Sequence, residues 1–214
     1  MEVASFMGKE ETWTEQDREK LARAAIDKSE VLDTIVEQLA QGCRMQRQHA
    51  AAVISLVASL KPELLTAHTD DITDALNRPE AATRWELLHA ISYMGKAGQE
   101  FDDDVLASVE DSLYDEDNGI VREAAFDFLC GYGSASASNA ETAWPLIDEA
   151  IQCYHGNYEF NKMLRTLIAF AQADIPGHIA EALGERMAFD AASGTGTLKK
   201  LATEITEACA AHLA

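Results

Sequence analysis

The chain has 214 residues, of which 47% are hydrophobic and 25% charged, as is usual for a protein that folds in water. Its 37 acidic residues outnumber its 17 basic residues, which gives a formal net charge of -20. A field of this sign repels nucleic-acid phosphates and anionic lipids and attracts basic partners, so the composition argues against binding to nucleic acid or membranes. The 4 cysteines are far apart and form no C-x-x-C motif, and we expect a reduced, cytoplasmic protein.

The chain begins with residues 1–12, which show no helical periodicity and are expected to be frayed. They also lack the basic segment and apolar core of a signal peptide. Thr14 and Asp17 then have the spacing of a capping box, which predicts an N-terminal capping helix over residues 13–28. Ser29 follows as the expected N-cap of the next helix.

A pattern of two amphipathic helices then repeats along the chain. Arg47, Arg84 and Arg122 each stand near the start of a second helix, and they are 37 and 38 residues apart. Apolar residues follow each arginine at offsets of three, six, seven and ten, which places them on one face of a helix. Each helix pair leaves an apolar face that only a neighbouring pair can cover, so the pairs are expected to stack. The predicted repeats cover residues 29–61, 62–96, 97–134, 135–173 and 174–214.

The sequence thus predicts an all-α fold of about five stacked antiparallel helix pairs. Residues 1–214 are expected to form a single repeat domain, because no linker or shift in composition interrupts the pattern. The expected core consists of apolar side chains at matching positions of the first four copies. These are Ile35, Leu39, Ile54, Leu76, Leu87, Ile91, Leu113, Leu129, Ile151 and Ile168.

The third copy carries a family resemblance. Residues 113–129 read LYDEDNGIVREAAFDFL and resemble the turn and second helix of a HEAT repeat, with a leucine, turn aspartates, Val-Arg and a small residue three places later. The other copies resemble the motif more loosely, since Gln46-Arg47 and Thr83-Arg84 replace Val-Arg. The resemblance implies a HEAT-like, armadillo-like solenoid, a right-handed α-α superhelix that usually serves as a protein-binding scaffold. The same family includes DNA-repair glycosylases and chromophore lyases, so the fold alone does not decide the function.

Motifs for catalysis or for a cofactor do not emerge from the sequence. The acidic run Asp115–Gly119 is similar to a calcium loop, but an EF-hand register would make Tyr114 the first ligand and Ala125 the last. Neither side chain can bind calcium, so we interpret the run as a turn between helices. The 6 histidines form no pair at helical spacing, and no phosphate-binding or dinucleotide-binding glycine motif occurs. The sequence therefore predicts no catalytic residue, no metal and no cofactor.

One group of residues does suggest a binding surface. Trp85, His89 and Tyr93 recur at i, i+4 and i+8 on the second helix of the second copy, away from its core row. Glu123 and Asp127 hold matching places on the next second helix. The matching places elsewhere hold Gln48, Ala52, Leu56, Gly131, Lys162, Thr166 and Phe170. Aromatic rings interleaved with carboxylates suit a protein or peptide that presents Arg or Lys. Alternatively, the two large aromatics only widen the packing stripe between repeats.

Three functions are compatible with these features. The first is a non-catalytic scaffold with an acidic, partly aromatic concave surface for a basic protein or peptide. The second is an inhibitor or immunity-type protein that neutralises a basic toxin or nuclease. The third is a HEAT-family enzyme such as a lyase or a DNA glycosylase, which the acidic charge disfavours because a DNA-binding groove is basic. We expect the first.

Overall fold

A computed structural model of the chain describes residues 3–7 and 13–212, which contain helices and no β-strand. The packing of the backbone divides the chain into two compact units, Met1–Ala124 and Ala125–Ala214. The expectation of one repeat domain over residues 1–214 stays a prediction.

The first unit stacks helices in two layers. Its helices are α1 (Val3–Met7), α2 (Glu15–Asp27), α3 (Ser29–Gln41), α4 (Arg44–Leu60), α5 (Thr69–Asp74), α6 (Ala81–Lys96), α7 (Asp103–Leu113) and the start of α8 (Gly119–Gly133). In one layer α4 packs between α2 and α6, and in the other α3 packs on α5. The second helices of successive repeats therefore lie side by side, as the stacked pairs require.

The N-terminal region confirms one cap and corrects two expectations. The backbone N–H of Asp17 donates to Thr14 Oγ1 at 3.3 Å and that of Thr14 to Asp17 Oδ2 at 3.0 Å, so the capping box is confirmed. The N-cap of α3 is Lys28 and not Ser29, which is the first residue of the helix. Residues 3–7 are helical, with Met7 buried and its carbonyl oxygen 2.7 Å from Nδ1 of His49. The expected fraying is therefore wrong for residues 3–7, and the rest of the stretch from 1 to 12 lies outside the described residues.

The first helix of the second repeat is interrupted. A 3-10 helix over Pro62–His68 precedes α5, and another over Ala75–Asn77 follows it. Within α5, Thr73 Oγ1 donates to the carbonyls of Thr69 at 3.0 Å and Asp70 at 3.1 Å.

The second unit also has two layers. Its helices are the end of α8, α9 (Ala137–Cys153), α10 (Phe160–Gln172), α11 (Gly177–Ser193) and α12 (Gly196–Ala211). First helices α9 and α11 pack together, second helices α10 and α12 pack together, and α11 lies along α12. Helices α9 and α10 lie within residues 135–173, and α11 and α12 lie within residues 174–214.

The predicted core is confirmed at nine of its ten positions, which are all at most 3% exposed. The exception is Ile168, which is only half-buried. Phe170, whose place matches that of Tyr93, is fully buried and so does not line an exposed surface. A Cβ on Gly133 would lie 2.8 Å from the Phe170 ring, which shows how closely α8 approaches this side chain.

The repeated arginines join successive repeats in the first unit. Arg47 donates to the carbonyl of Gly42 at 2.7 Å in its own turn, and its guanidinium pairs with Glu80, which directly precedes α6. Arg84 pairs in the same way with Asp115, in the turn before α8. Arg47 and Arg84 therefore each bind a carboxylate of the following repeat, whereas Arg122 donates to the carbonyl of Asp115 in its own turn at 2.6 Å.

These pairs shift the titration of both carboxyl groups. The hydrogen bond from Arg47 holds the pKa of Glu80 below its ordinary value of 4.5, against the opposing effect of burial. Burial also acts to raise the pKa of Asp115, but hydrogen bonds from Arg84 and Asn118 outweigh it, and the net shift is downward. Asp115 Oδ1 accepts the backbone N–H of Asn118 at 2.6 Å, so the supposed calcium loop is a hydrogen-bonded turn.

Candidate functional site

Helix α6 places the aromatic residues of the predicted site on its solvent-exposed side. Trp85 is 37% exposed and Tyr93 is 39% exposed, whereas Leu87 and Ile91 on the opposite side are fully buried. His89 lies between the two aromatics along the helix, and its ring meets that of Trp85 edge to face, with centroids 5.1 Å apart. The exposed side of α6 with Trp85, His89 and Tyr93 is called the α6 face below.

A cation already lies on this face. The Nζ of Lys96 is 5.8 Å from the centroid of the Tyr93 ring, within the range of a cation–π contact. The two large aromatics are each more than half buried, so they contribute to packing as well as to the surface. More than a third of each residue nevertheless remains exposed to solvent.

The acidic residues of the predicted site lie on α8. Glu123 and Asp127 are one helical turn apart and both half-buried. Asp127 belongs to the second unit, where the hydroxyl of Thr166 on α10 donates a hydrogen bond to it. The structure therefore groups three of the predicted site residues on α6 and two on α8. That all five serve one partner stays a prediction.

Sequence reasoning missed the main polar contact beside the α6 face. Arg18 on α2 donates from Nε to the carbonyl of Ala52 on α4 at 2.8 Å and from Nη2 to Glu86 Oε2 on α6 at 3.3 Å. The Glu86 side chain is 10% exposed and the Arg18 side chain 22% exposed. Because Glu86 precedes His89 by three residues, it lies at the edge of the α6 face. The Arg18 side chain thus extends from α2 across α4 and ends beside the predicted site.

The sequence did contain a signal for Arg18. Arg18, Arg47, Arg84 and Arg122 are each the fourth residue of a helix, namely α2, α4, α6 and α8. Arg47 and Arg84 find a carboxylate in the turn that precedes the next second helix. The turn before α4 consists of Gly42 and Cys43 and offers no carboxylate. Arg18 consequently extends to a carboxylate one repeat further on.

Among the described residues, no three or more His, Cys, Asp or Glu side chains are grouped so that they could hold a metal ion. The described part of the chain also contains no helix that is both long and apolar enough to cross a membrane. A cleft of about 1050 Å³ in the first unit lies between α5 and α7, and its carboxylates include Asp70 and Asp102. Asp102 accepts the N–H of Val105 at 3.1 Å and caps α7, which explains its place there.

Comparison with known proteins places the fold. No protein-family model matches the sequence, and no curated protein matches it. Among solved structures, a designed armadillo repeat protein gives a TM-score of 0.68 at 12% identity, covering 97% of this chain and 98% of its own. A designed armadillo repeat protein in complex with the peptide (KR)4 gives 0.66 at 14% identity, with coverage of 97% and 98%.

A natural protein matches as well. The HEAT-like repeats protein of the archaeon Thermococcus onnurineus NA1 gives a TM-score of 0.54 at 12% identity, covering 100% of this chain and 97% of its own. Identities this low show a shared fold and do not transfer a function. With its stacked helix pairs and inter-repeat arginines, the chain has the fold of the HEAT/armadillo-like helical repeat solenoids.

Proposed function

We propose that the protein is a non-catalytic repeat scaffold that binds a basic peptide or protein segment on the α6 face. The observation that carries the proposal is the exposure of Trp85 and Tyr93 on a helix whose other side is completely buried. Tryptophan and tyrosine are the residues that most often dominate binding energy at protein interfaces. Their ring faces also attract guanidinium and ammonium groups.

Charge supports a basic partner. The net charge of -20 raises the rate at which a cationic segment approaches, while the aromatic contacts slow its departure. On the surface itself, Lys96 rests over Tyr93, and Arg18 binds Glu86 at the edge of the face. Both contacts use the chemistry that a partner's lysine or arginine would use. The complex of a designed armadillo repeat protein with the peptide (KR)4 supports the binding of a peptide by a scaffold of this fold. Within the first unit, Glu123 on α8 is a further acidic residue that could contribute to binding, and a role for Asp127 stays a prediction.

The experiment measures binding of a labelled (KR)4 peptide by fluorescence anisotropy. We expect Trp85→Ala to weaken binding by about 2 kcal/mol, about 30-fold in Kd, and Tyr93→Ala by about 1 kcal/mol. Trp144→Ala on α9 and Tyr158→Ala before α10 make the same chemical changes on other parts of the surface and should leave Kd unchanged. An acidic peptide of equal length should not bind.

The same variants separate binding from packing. Trp85 is only 37% exposed, so most of its side chain is packed against the protein. Its replacement by Ala therefore also removes apolar contacts, and we expect a loss of about 2 kcal/mol in the free energy of unfolding. Circular dichroism therefore has to show that each variant is folded in the binding buffer. A less stable Trp85→Ala protein that still binds (KR)4 with the original Kd would contradict the proposal and favour a purely structural role.

A further inference from the structure

Arg18 shows how a guanidinium group binds beside the α6 face. Its Nε donates to a main-chain carbonyl, that of Ala52, and its Nη2 donates to the carboxylate of Glu86. The two acceptors belong to different helices, α4 and α6, and a single planar guanidinium spans them. Ala52 has only a methyl side chain, so the arginine can lie across α4 and reach the carbonyl.

We propose that the Ala52 carbonyl and the Glu86 carboxylate form an arginine-binding subsite, which Arg18 fills in the free protein and from which an arginine of the basic partner displaces it. The inference rests on the proposed function for the identity of the partner. The subsite itself rests only on the contacts within the first unit.

The geometry selects arginine over lysine. A guanidinium offers several N–H groups in one plane and can bond two acceptors that lie in different directions. An ammonium group at the end of a lysine carries all its donors on one nitrogen, whereas the contact seen with Arg18 uses two separate nitrogens, Nε and Nη2. Glu86 is nearly buried, so its carboxylate needs a partner whenever Arg18 leaves. An incoming arginine meets that need while its neighbours contact His89 and Tyr93.

Displacement has a consequence for affinity. Arg18 competes with the partner for the same acceptors, and its removal should strengthen binding of arginine-rich peptides about tenfold, the effect of freeing one hydrogen bond to a charged group. The matched control is Arg23→Ala. Arg23 lies on the same helix and pairs with Glu19, at 3.7 Å on an exposed surface, so the variant loses the same charge without opening the subsite.

The first measurement compares octa-arginine and octa-lysine peptides on the wild type, Arg18→Ala and Arg23→Ala. We expect Arg18→Ala to bind octa-arginine about tenfold more tightly than Arg23→Ala does, and the two variants to bind octa-lysine alike. Arg18→Lys keeps a counter-charge for Glu86 and preserves folding if the alanine variant is unstable. It should still bind octa-arginine more tightly than the wild type.

The second measurement needs no peptide. Ethylguanidinium at about 20 mM should raise the melting temperature of Arg18→Ala by about 2 °C, because a ligand that binds only the folded state stabilises it. The same reagent should leave the wild type and Arg23→Ala unchanged, and ethylammonium should leave all three unchanged.

Each outcome bears on one of the two proposals. Stabilisation by ethylguanidinium without binding of any basic peptide would support the subsite and overturn the proposed function. Binding of octa-arginine that needs Trp85 but is equal in Arg18→Ala and Arg23→Ala would support the function and overturn the subsite. Equal gains for octa-arginine and octa-lysine would also overturn it, since a change of charge would then explain the effect.

Discussion

The pair between Arg47 and Glu80 offers a direct test of how this protein holds its repeats together. The Glu80 side chain is 5% exposed and the Arg47 side chain 18% exposed, so the pair is largely removed from water. Replacing Arg47 by Met keeps much of the side-chain volume but leaves a nearly buried carboxylate without its cation. Removal of one partner of a buried pair costs about 3–5 kcal/mol, and the partial exposure of Arg47 places the expected loss at about 3 kcal/mol.

The reverse change should cost less. In Glu80→Gln the amide still accepts a hydrogen bond, and Arg47 keeps its bond to the Gly42 carbonyl at 2.7 Å, so we expect a loss of about 1 kcal/mol. The double variant has no unpaired charge and should be about 2 kcal/mol more stable than the sum of the single losses predicts. Arg23→Met is the matched control, because its pair with Glu19 is exposed and worth less than about 1 kcal/mol.

The contribution of the Arg47–Glu80 pair to stability should also depend on pH. The pKa of Glu80 is lowered in the folded wild type, so its contribution to stability is present above the ordinary value of 4.5 and is lost as the pH falls through the folded value. In Arg47→Met, burial remains while the cation is gone, and the pKa of Glu80 should rise above its ordinary value. The loss in the free energy of unfolding caused by Arg47→Met should therefore become smaller as the pH falls from about 7 to about 4, because the buried carboxyl becomes protonated.

Urea unfolding followed by circular dichroism over this pH range measures the free energy of unfolding of the wild type and of each variant. A loss in Arg47→Met no larger than in Arg23→Met, or additive losses in the double variant, would refute the view that this pair connects the repeats.

Two further predictions concern the second unit and the thiols. Gly133→Ala should destabilise the protein by about 1–3 kcal/mol in urea unfolding, because its Cβ would lie 2.8 Å from the Phe170 ring. Gly177→Ala, where no atom lies within 4 Å of the added Cβ, should be neutral or stabilising, and equal losses would contradict the packing argument. Cys43 and Cys153 are exposed, whereas burial raises the pKa of Cys130 well above its usual range and that of Cys209 to about 11. A thiol reagent should therefore label two cysteines in the native protein and four in urea; rapid native labelling of a third would show that the core opens.

Much of the fold could be predicted because its determinants are local or periodic. The capping box at Thr14 depends on two residues three apart, and the core rows depend on helical spacing within one segment. The regular interval between Arg47 and Arg84 reflects a contact that each repeat makes with the next. Such features recur along the chain and can be recognised without coordinates.

The parts of the fold that were predicted wrongly depend on contacts that the spacing of residues does not reveal. Ile168 and Phe170 lie on different sides of α10, and Phe170 packs close to Gly133, which is 37 residues away in the chain. Helical spacing alone favoured the wrong residue. The hydrophobic pattern also gave no sign of the 3-10 helices that flank α5.

The candidate site was predicted in part for the same reason. Trp85, His89 and Tyr93 share one helix, so their grouping follows from spacing, and their exposure could be expected from their position off the core row. The contact between Arg18 and Glu86 joins residues 68 positions apart and skips a repeat. It could be inferred only by noticing that Arg18 holds the same fourth position in its helix as Arg47 and that the next turn has no carboxylate for it.

The fold uses arginine repeatedly to bind carboxylates of the same chain. Arg47 and Arg84 are bound between repeats, and Arg186 is bound to Asp148 in the second unit at 2.7 Å. Each such pair is neutral as a whole, so the net charge of -20 belongs to the remaining side chains. A basic segment that approaches the α6 face meets the same pair of acceptors that the chain supplies to Arg18, a carbonyl and a nearly buried carboxylate. Recognition of a partner's arginine would then repeat, between molecules, a contact that the chain already makes within itself.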